Sequence, residues 1–137
     1  MTRRKSSAAL AAAALVLSLS ACGDTQTVEE ACQIAGEKTR AIMGDLGSVN
    51  AADPAAAESE LASMADQLDG IADGLTNKEV KDAIAGVADS FEDLGEALGG
   101  LTDQSGDLAD VQKTMETVNQ ISDDMVEKGA AIEKLCG

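Results

Sequence analysis

The chain has 137 residues, with 25 acidic side chains against 10 Lys and Arg, a formal charge of −15, no His, Trp or Tyr, and Phe91 as its one aromatic. A field of that sign repels nucleic acid and anionic lipid headgroups, so nucleic-acid binding and membrane contact through a basic patch are both excluded. Without His, the usual Ser or Cys triads, His-held haem, Glu-x-x-His di-iron sites and His-ligated catalytic zinc cannot be built, and no cofactor is expected.

In chain order the first element is a leader. Met1-Thr2-Arg3-Arg4-Lys5 is a cationic head, and Ala8 to Leu19 is an uncharged run rich in Ala and Leu. A run of about twelve residues suits an export signal and is too short to span a bilayer as a helix. It ends in Leu19-Ser20-Ala21-Cys22-Gly23. These residues resemble the lipobox of bacterial lipoprotein signal peptides: an aliphatic residue, two small residues, then Cys. The resemblance covers residues 1–22. It implies diacylglyceryl transfer to Cys22, cleavage between Ala21 and Cys22, further acylation such as palmitate, and anchoring to a membrane on its extracytoplasmic face. Arg3-Arg4 also fits the twin-arginine export route, but Lys5, Ser6 and Ser7 lack the apolar pair that follows it there. The general secretion route is expected.

Removal of residues 1–21 leaves 116 residues with 25 acids and 7 bases, a formal charge of −18 and one domain's length. Residues 22–27 form a lipidated polar tether, and 28–137 the domain. Thr27 and Glu30 make a capping box, followed by a stripe at Val28, Cys32, Ala35, Thr39, Ile42, Leu46 and Val49, in which Thr39 alone is polar. Ser48 to Asp53 reads as a loop. Asp53-Pro54 then starts a second helix with the stripe Ala57, Leu61, Met64, Leu68, Ile71, Leu75. Gly74 to Asn77 is a turn, with Thr76 and Glu79 as a further capping box. The third stripe is Val80, Ile84, Val87, Phe91, Leu94, Leu98, Leu101, and Gly99-Gly100 with Thr102–Gly106 mark the next break. The fourth is Leu108, Val111, Met115, Val118, Ser122, Met125, Gly129, Ile132, Cys136, with Ile121 and Leu135 beside it.

Alternation of four and three is the coiled-coil period, and no segment alternates with period two. The sequence therefore predicts an all-α, antiparallel up-down-up-down four-helix bundle with coiled-coil-like seams. A three-helix core with a loose first helix, and a longer coiled coil made by dimerisation, are the alternatives. Gly36, Gly44, Gly70, Gly86, Gly95 and Gly129 fall inside predicted helices, at about 0.5–1 kcal/mol each relative to Ala.

Cys32 and Cys136 remain once Cys22 is lipidated. They lie on two seams at the ends that an antiparallel bundle brings to one pole, so a disulfide is expected. Closing a loop of roughly 105 residues stabilises by about 4–5 kcal/mol in the chain-entropy model. No CxxC spacing supports a redox or metal role. Asp103 to Asp107 lacks the order of a calcium loop. Glu29-Glu30, Glu92-Asp93 and Asp123-Asp124 read as solvated surface. Met43, Met64, Met115 and Met125 read as core filler rather than a copper site. From Cys32 to Val49 is 17 residues and from Leu108 to Cys136 is 28, so a straight fourth helix would overrun the first by about 16 Å.

The expected function is that of a non-enzymatic cell-envelope lipoprotein, held to the membrane through Cys22 and serving as a protein-interaction or accessory subunit. The alternative is a carrier of an apolar small molecule or lipid between the helices, for which a continuous apolar void of a few hundred cubic ångströms is the mark. Size, Ala/Gly-rich helices and paired cysteines are similar in composition to small helical lipoproteins of actinobacteria, which implies no particular partner.

Overall fold

The computed structural model describes residues 25–50, 52–103 and 107–137. The leader, Ala21, Cys22 and the first tether residues lie outside them. The described residues form four helices and no strand: α1 (Val28–Leu46), α2 (Pro54–Asp73), α3 (Lys78–Asp103) and α4 (Leu108–Cys136).

Local chemistry sets the helix starts. Thr27 Oγ1 accepts the Glu30 N–H at 3.2 Å, and the Glu30 carboxylate accepts the Thr27 N–H at 2.9 Å. Asp53 accepts the Ala56 N–H at 3.1 Å, ahead of Pro54 at the first helical position. The third start differs from expectation. Asn77, not Thr76, caps α3, its Oδ1 accepting the Val80 N–H at 3.2 Å. Thr76 is engaged elsewhere, accepting the Gln26 N–H at 2.8 Å. Asp107 caps α4 by accepting the Ala109 N–H at 2.9 Å.

Gly99-Gly100 does not break α3, which runs on to Asp103. Gly99, with Gly95 one turn earlier, belongs to a close crossing with α2. A Cβ on Gly95 would sit 3.3 Å from the Glu58 carbonyl oxygen and 3.4 Å from Leu61 Cβ, and one on Gly99 would overlap the Glu58 carboxylate. The helix tolerates both because packing against α2 outweighs their intrinsic cost.

The α2–α3 interface is the most extensive in the molecule, α3–α4 comes next, and α1 makes the slightest contacts, touching each of the others. Among the described residues α2 and α4 do not meet. Helix α3 is thus the middle of a row, with α1 laid across it. The core follows the second and third stripes: Leu61, Met64, Leu68, Ile71, Leu75, Val80, Ile84 and Phe91 are buried, with Ala31, Ala35 and Ile42 from α1.

Helix α4 buries no residue completely. Its half-buried line is Thr114, Val118, Ile121, Met125, Lys128, Ile132 and Leu135. Ile121, Lys128 and Leu135 therefore take the inward places expected of Ser122, Gly129 and Cys136, and Ile121 removes more apolar surface from water than Ser122 would. Lys128 lays its stem against Gly86 and turns its ammonium to Ser90 and Asp124. Met115 and Met43 are exposed, while Met64 is buried and Met125 half-buried, so only the latter two act as filler.

Candidate functional site

The Cys32–Cys136 disulfide joins α1 to α4, with 5.5 Å between the Cα atoms and 104 positions between the residues. On α1, Cys32 is one turn past the Thr27 cap; on α4, Cys136 is the last helical residue. At the same pole the tether is fastened to the α2–α3 turn. Thr76 N–H donates to Gln26 Oε1 at 2.9 Å, and Asn77 Nδ2 donates to the Gln26 carbonyl at 3.0 Å. Gln26 is a positioning residue that periodicity gives no hint of, because it lies outside any helix. It fixes where the chain leaves the bundle four residues after Cys22.

Below the disulfide, α1 and α4 part. The gap is a cleft of about 370 Å³ lined by Cys32, Ala35, Gly36, Thr39, Arg40 and Met43 of α1, Ile84 of α3, and Ile132 and Cys136 of α4. Its walls are almost wholly apolar. Three features of the sequence open it. Gly36 contributes no side chain, and a Cβ there would meet nothing within 4 Å. On α4 only Ile132 and Cys136 reach the cleft. Met43 is exposed rather than packed inward. A larger hollow of about 580 Å³ lies across the disulfide, but Glu29 and Gln33 share its walls with Val28 and Leu135, and it is open to solvent.

Thr39, the polar interruption of the first stripe, lines the apolar cleft. Its Oγ1 is buried and makes no hydrogen bond. A helical threonine ordinarily returns its hydroxyl to a carbonyl one turn back, as Thr117 does to the Lys113 carbonyl at 3.1 Å. An unpaired buried hydroxyl costs about 1–3 kcal/mol, so its retention calls for a reason.

A second polar group sits between α3 and α4. Ser90, 1% exposed, lies within hydrogen-bond reach of the Gly86 carbonyl (3.2 Å) and of Asp124 Oδ2 (3.0 Å). Lys128 Nζ donates to Ser90 Oγ at 2.7 Å and pairs with Asp124 at 2.7 Å. The hydrogen bond from Lys128, and secondarily that from Ser90, holds the Asp124 carboxyl below its ordinary range. Serine beside lysine suggests a nucleophile and base, but Ser90 is closed off and Lys128 is occupied by its ion pair. The trio is a clamp between helices. Of the acidic pairs, Asp124 thus has a packing role, whereas Glu92, Asp93 and Asp123 are solvated. Among the described residues no group of three His, Cys, Asp or Glu side chains is placed to hold a metal.

From the disulfide, α4 runs 28 residues to Leu108 and α1 only 14 to Leu46, so the first half of α4 extends past the end of α1 by about 21 Å. Leu108, Val111 and Met115 are 78%, 37% and 54% exposed there, on the side of α4 that carries Cys136 toward α1. Helix α3 continues alongside, its Gly100 and α4's Lys113 and Thr117 lining one hollow, so the extension is backed rather than free. No described helix is long and apolar enough to cross a membrane. Compared with protein-family models, curated proteins and solved structures, the chain gives no significant match.

Proposed function

We propose that this chain is an envelope lipoprotein, anchored on the extracytoplasmic face through lipid on Cys22, which holds an apolar small molecule between α1 and α4 without chemical change. The observation that carries the binding role is the cleft of about 370 Å³ beside the disulfide. Its size is at the lower end of ordinary ligand sites, and its lining is apolar with few polar groups, as such sites are. Anchorage rests on the lipobox Leu19-Ser20-Ala21-Cys22. Gln26, fastened to the α2–α3 turn, would hold the disulfide pole toward the bilayer.

Native mass spectrometry of the protein extracted from its own membranes tests the binding role. One apolar molecule per chain is expected, and it should be lost in Gly36→Leu, which fills the cleft from a position with free space around it. A chain that emerges empty, or keeps its guest in that variant, overturns the assignment. Labelled palmitate should enter the wild type and not Cys22→Ser; equal labelling would sink the anchor.

A second reading, a protein-interaction or accessory subunit, is favoured by the exposed Leu108, Val111 and Met115 at the pole away from the tether. Crosslinking in native membranes should then recover one protein partner, and Val111→Lys with Met115→Lys should abolish that recovery.

A further inference from the structure

The proposed cleft has a polar end that a purely apolar guest would leave unused. Arg40 is the only arginine beyond the leader and the only cation lining the cleft. Among the described residues it forms no ion pair, although the mature chain carries 25 acids; the ion pairs there are made by Lys78, Lys81 and Lys128. Beside it in sequence, and in the same lining, is the unpartnered buried hydroxyl of Thr39. Cys32, Ala35, Ile84, Ile132 and Cys136 form an apolar wall toward the disulfide, without a charged group among them.

We infer that the guest is a single-chain carboxylate amphiphile, a long-chain fatty acid. Its tail lies along the apolar wall toward the disulfide, and its carboxylate meets the Arg40 guanidinium and the Thr39 hydroxyl. The chemistry is complementary at both ends. Guanidinium forms paired hydrogen bonds with a planar carboxylate, and a hydroxyl donor gains the acceptor it lacks. The hydroxyl or carbonyl of a neutral lipid could accept from Thr39 but would bring no charge to Arg40. On so acidic a protein, Arg40 is the one group of the cleft lining that attracts an anionic headgroup. A cleft of about 370 Å³ holds one chain, not a two-chain phospholipid.

This inference rests on the cleft being a ligand site, and the test separates the two. The full-length protein in its membranes is exposed to a photoactivatable fatty acid and to the alcohol of the same chain, and crosslinked peptides are mapped. The acid should label α1 and the end of α4 about tenfold more than the alcohol, the range expected when a charge-assisted hydrogen bond is made or lost. Arg40→Gln should remove that preference and leave labelling by the alcohol unchanged. Thr39→Val should reduce the preference by a smaller factor while leaving thermal stability the same or higher. Equal labelling of the cleft by acid and alcohol in the wild type would overturn the carboxylate assignment and leave the apolar-ligand role standing. Labelling that persists in Gly36→Leu would overturn both. Preferential labelling of the cleft by a single-chain phosphate lipid over the fatty acid would overturn the choice of headgroup.

Discussion

Two helix pairs in this molecule start from similar sequence patterns and end differently. Helices α2 and α3 are joined by a four-residue turn and close on each other. Gly95 lets α3 approach the α2 backbone at Glu58, Gly99 makes room for the Glu58 carboxylate, and Leu61, Leu68 and Phe91 fill the space with at most 2% exposure. Helices α1 and α4 come from opposite ends of the domain and are held by a covalent bond at one point. Away from that bond they diverge, leaving the cleft and a polar threonine inside it. A seam of alternating four and three specifies a face, but whether that face is filled depends on what is set opposite it. Where small residues face large ones the helices close. Where Gly36 offers no side chain and only Ile132 and Cys136 come across from α4, they do not.

Breaking the covalent tie should show the contrast most strongly. Reduction, or Cys32→Ser, is expected to lower stability by about 4–5 kcal/mol in the chain-entropy model. Amide exchange should show protection lost first in α1, while α2 and α3 remain protected. Equal loss in all four helices would make α1 integral to the core rather than appended to it.

Truncation in the closed pair should come next. Leu61→Ala is expected to cost about 2–5 kcal/mol in denaturant unfolding, because a residue 2% exposed leaves a cavity. Met43→Ala in the open pair, 52% exposed, should cost within about 0.5 kcal/mol.

The glycines sharpen the comparison at a smaller scale. Gly36→Ala should raise stability by about 0.5–1 kcal/mol, since nothing lies within 4 Å of the new Cβ. Gly95→Ala should lower it, because the Glu58 carbonyl and Leu61 Cβ must yield. If both substitutions stabilise, the α2–α3 crossing is looser than its geometry implies.

The smallest effect belongs to the clamp between α3 and α4. Asp124 titrates below its ordinary range, so its contribution is present above the unfolded carboxylate range and is lost as pH falls through the depressed value. Asp124→Asn should flatten the acid limb of the stability–pH curve and change little near neutrality. The test is a series of thermal melts from neutral pH into the acid range.

Much of this was legible in the residues themselves. Four helices, the Thr27 and Asp53 caps, the second and third core stripes and the pairing of Cys32 with Cys136 follow from periodicity and from elementary end chemistry. The cap of α3 was misplaced because Thr76 and Asn77 both suit the position, and only the docking of Gln26 on Thr76 decides between them. The inward face of α4 was displaced by one residue at several positions. Ser122 and Gly129 sit on the strict seam, while the half-buried places go to Ile121 and Lys128.

The cleft was not legible. A glycine on a seam lowers helix propensity wherever it occurs, and the sequence carries that cost at Gly36 and Gly95 alike. At Gly95 the neighbouring backbone fills the space the missing side chain leaves, and at Gly36 nothing does. Sequence alone determined the apolar stripes of α2 and α3, how α1 and α2 begin and that the two cysteines share a pole, because these depend on residues close in the chain or on connectivity. Tertiary structure decided which apolar faces are covered, because covering one depends on the length and direction of a helix far away in sequence. Helix α1 is ten residues shorter than α4, which leaves the stripe at Leu108, Val111 and Met115 bare, and it is tied to α4 at one end only, where the cleft opens beside Thr39.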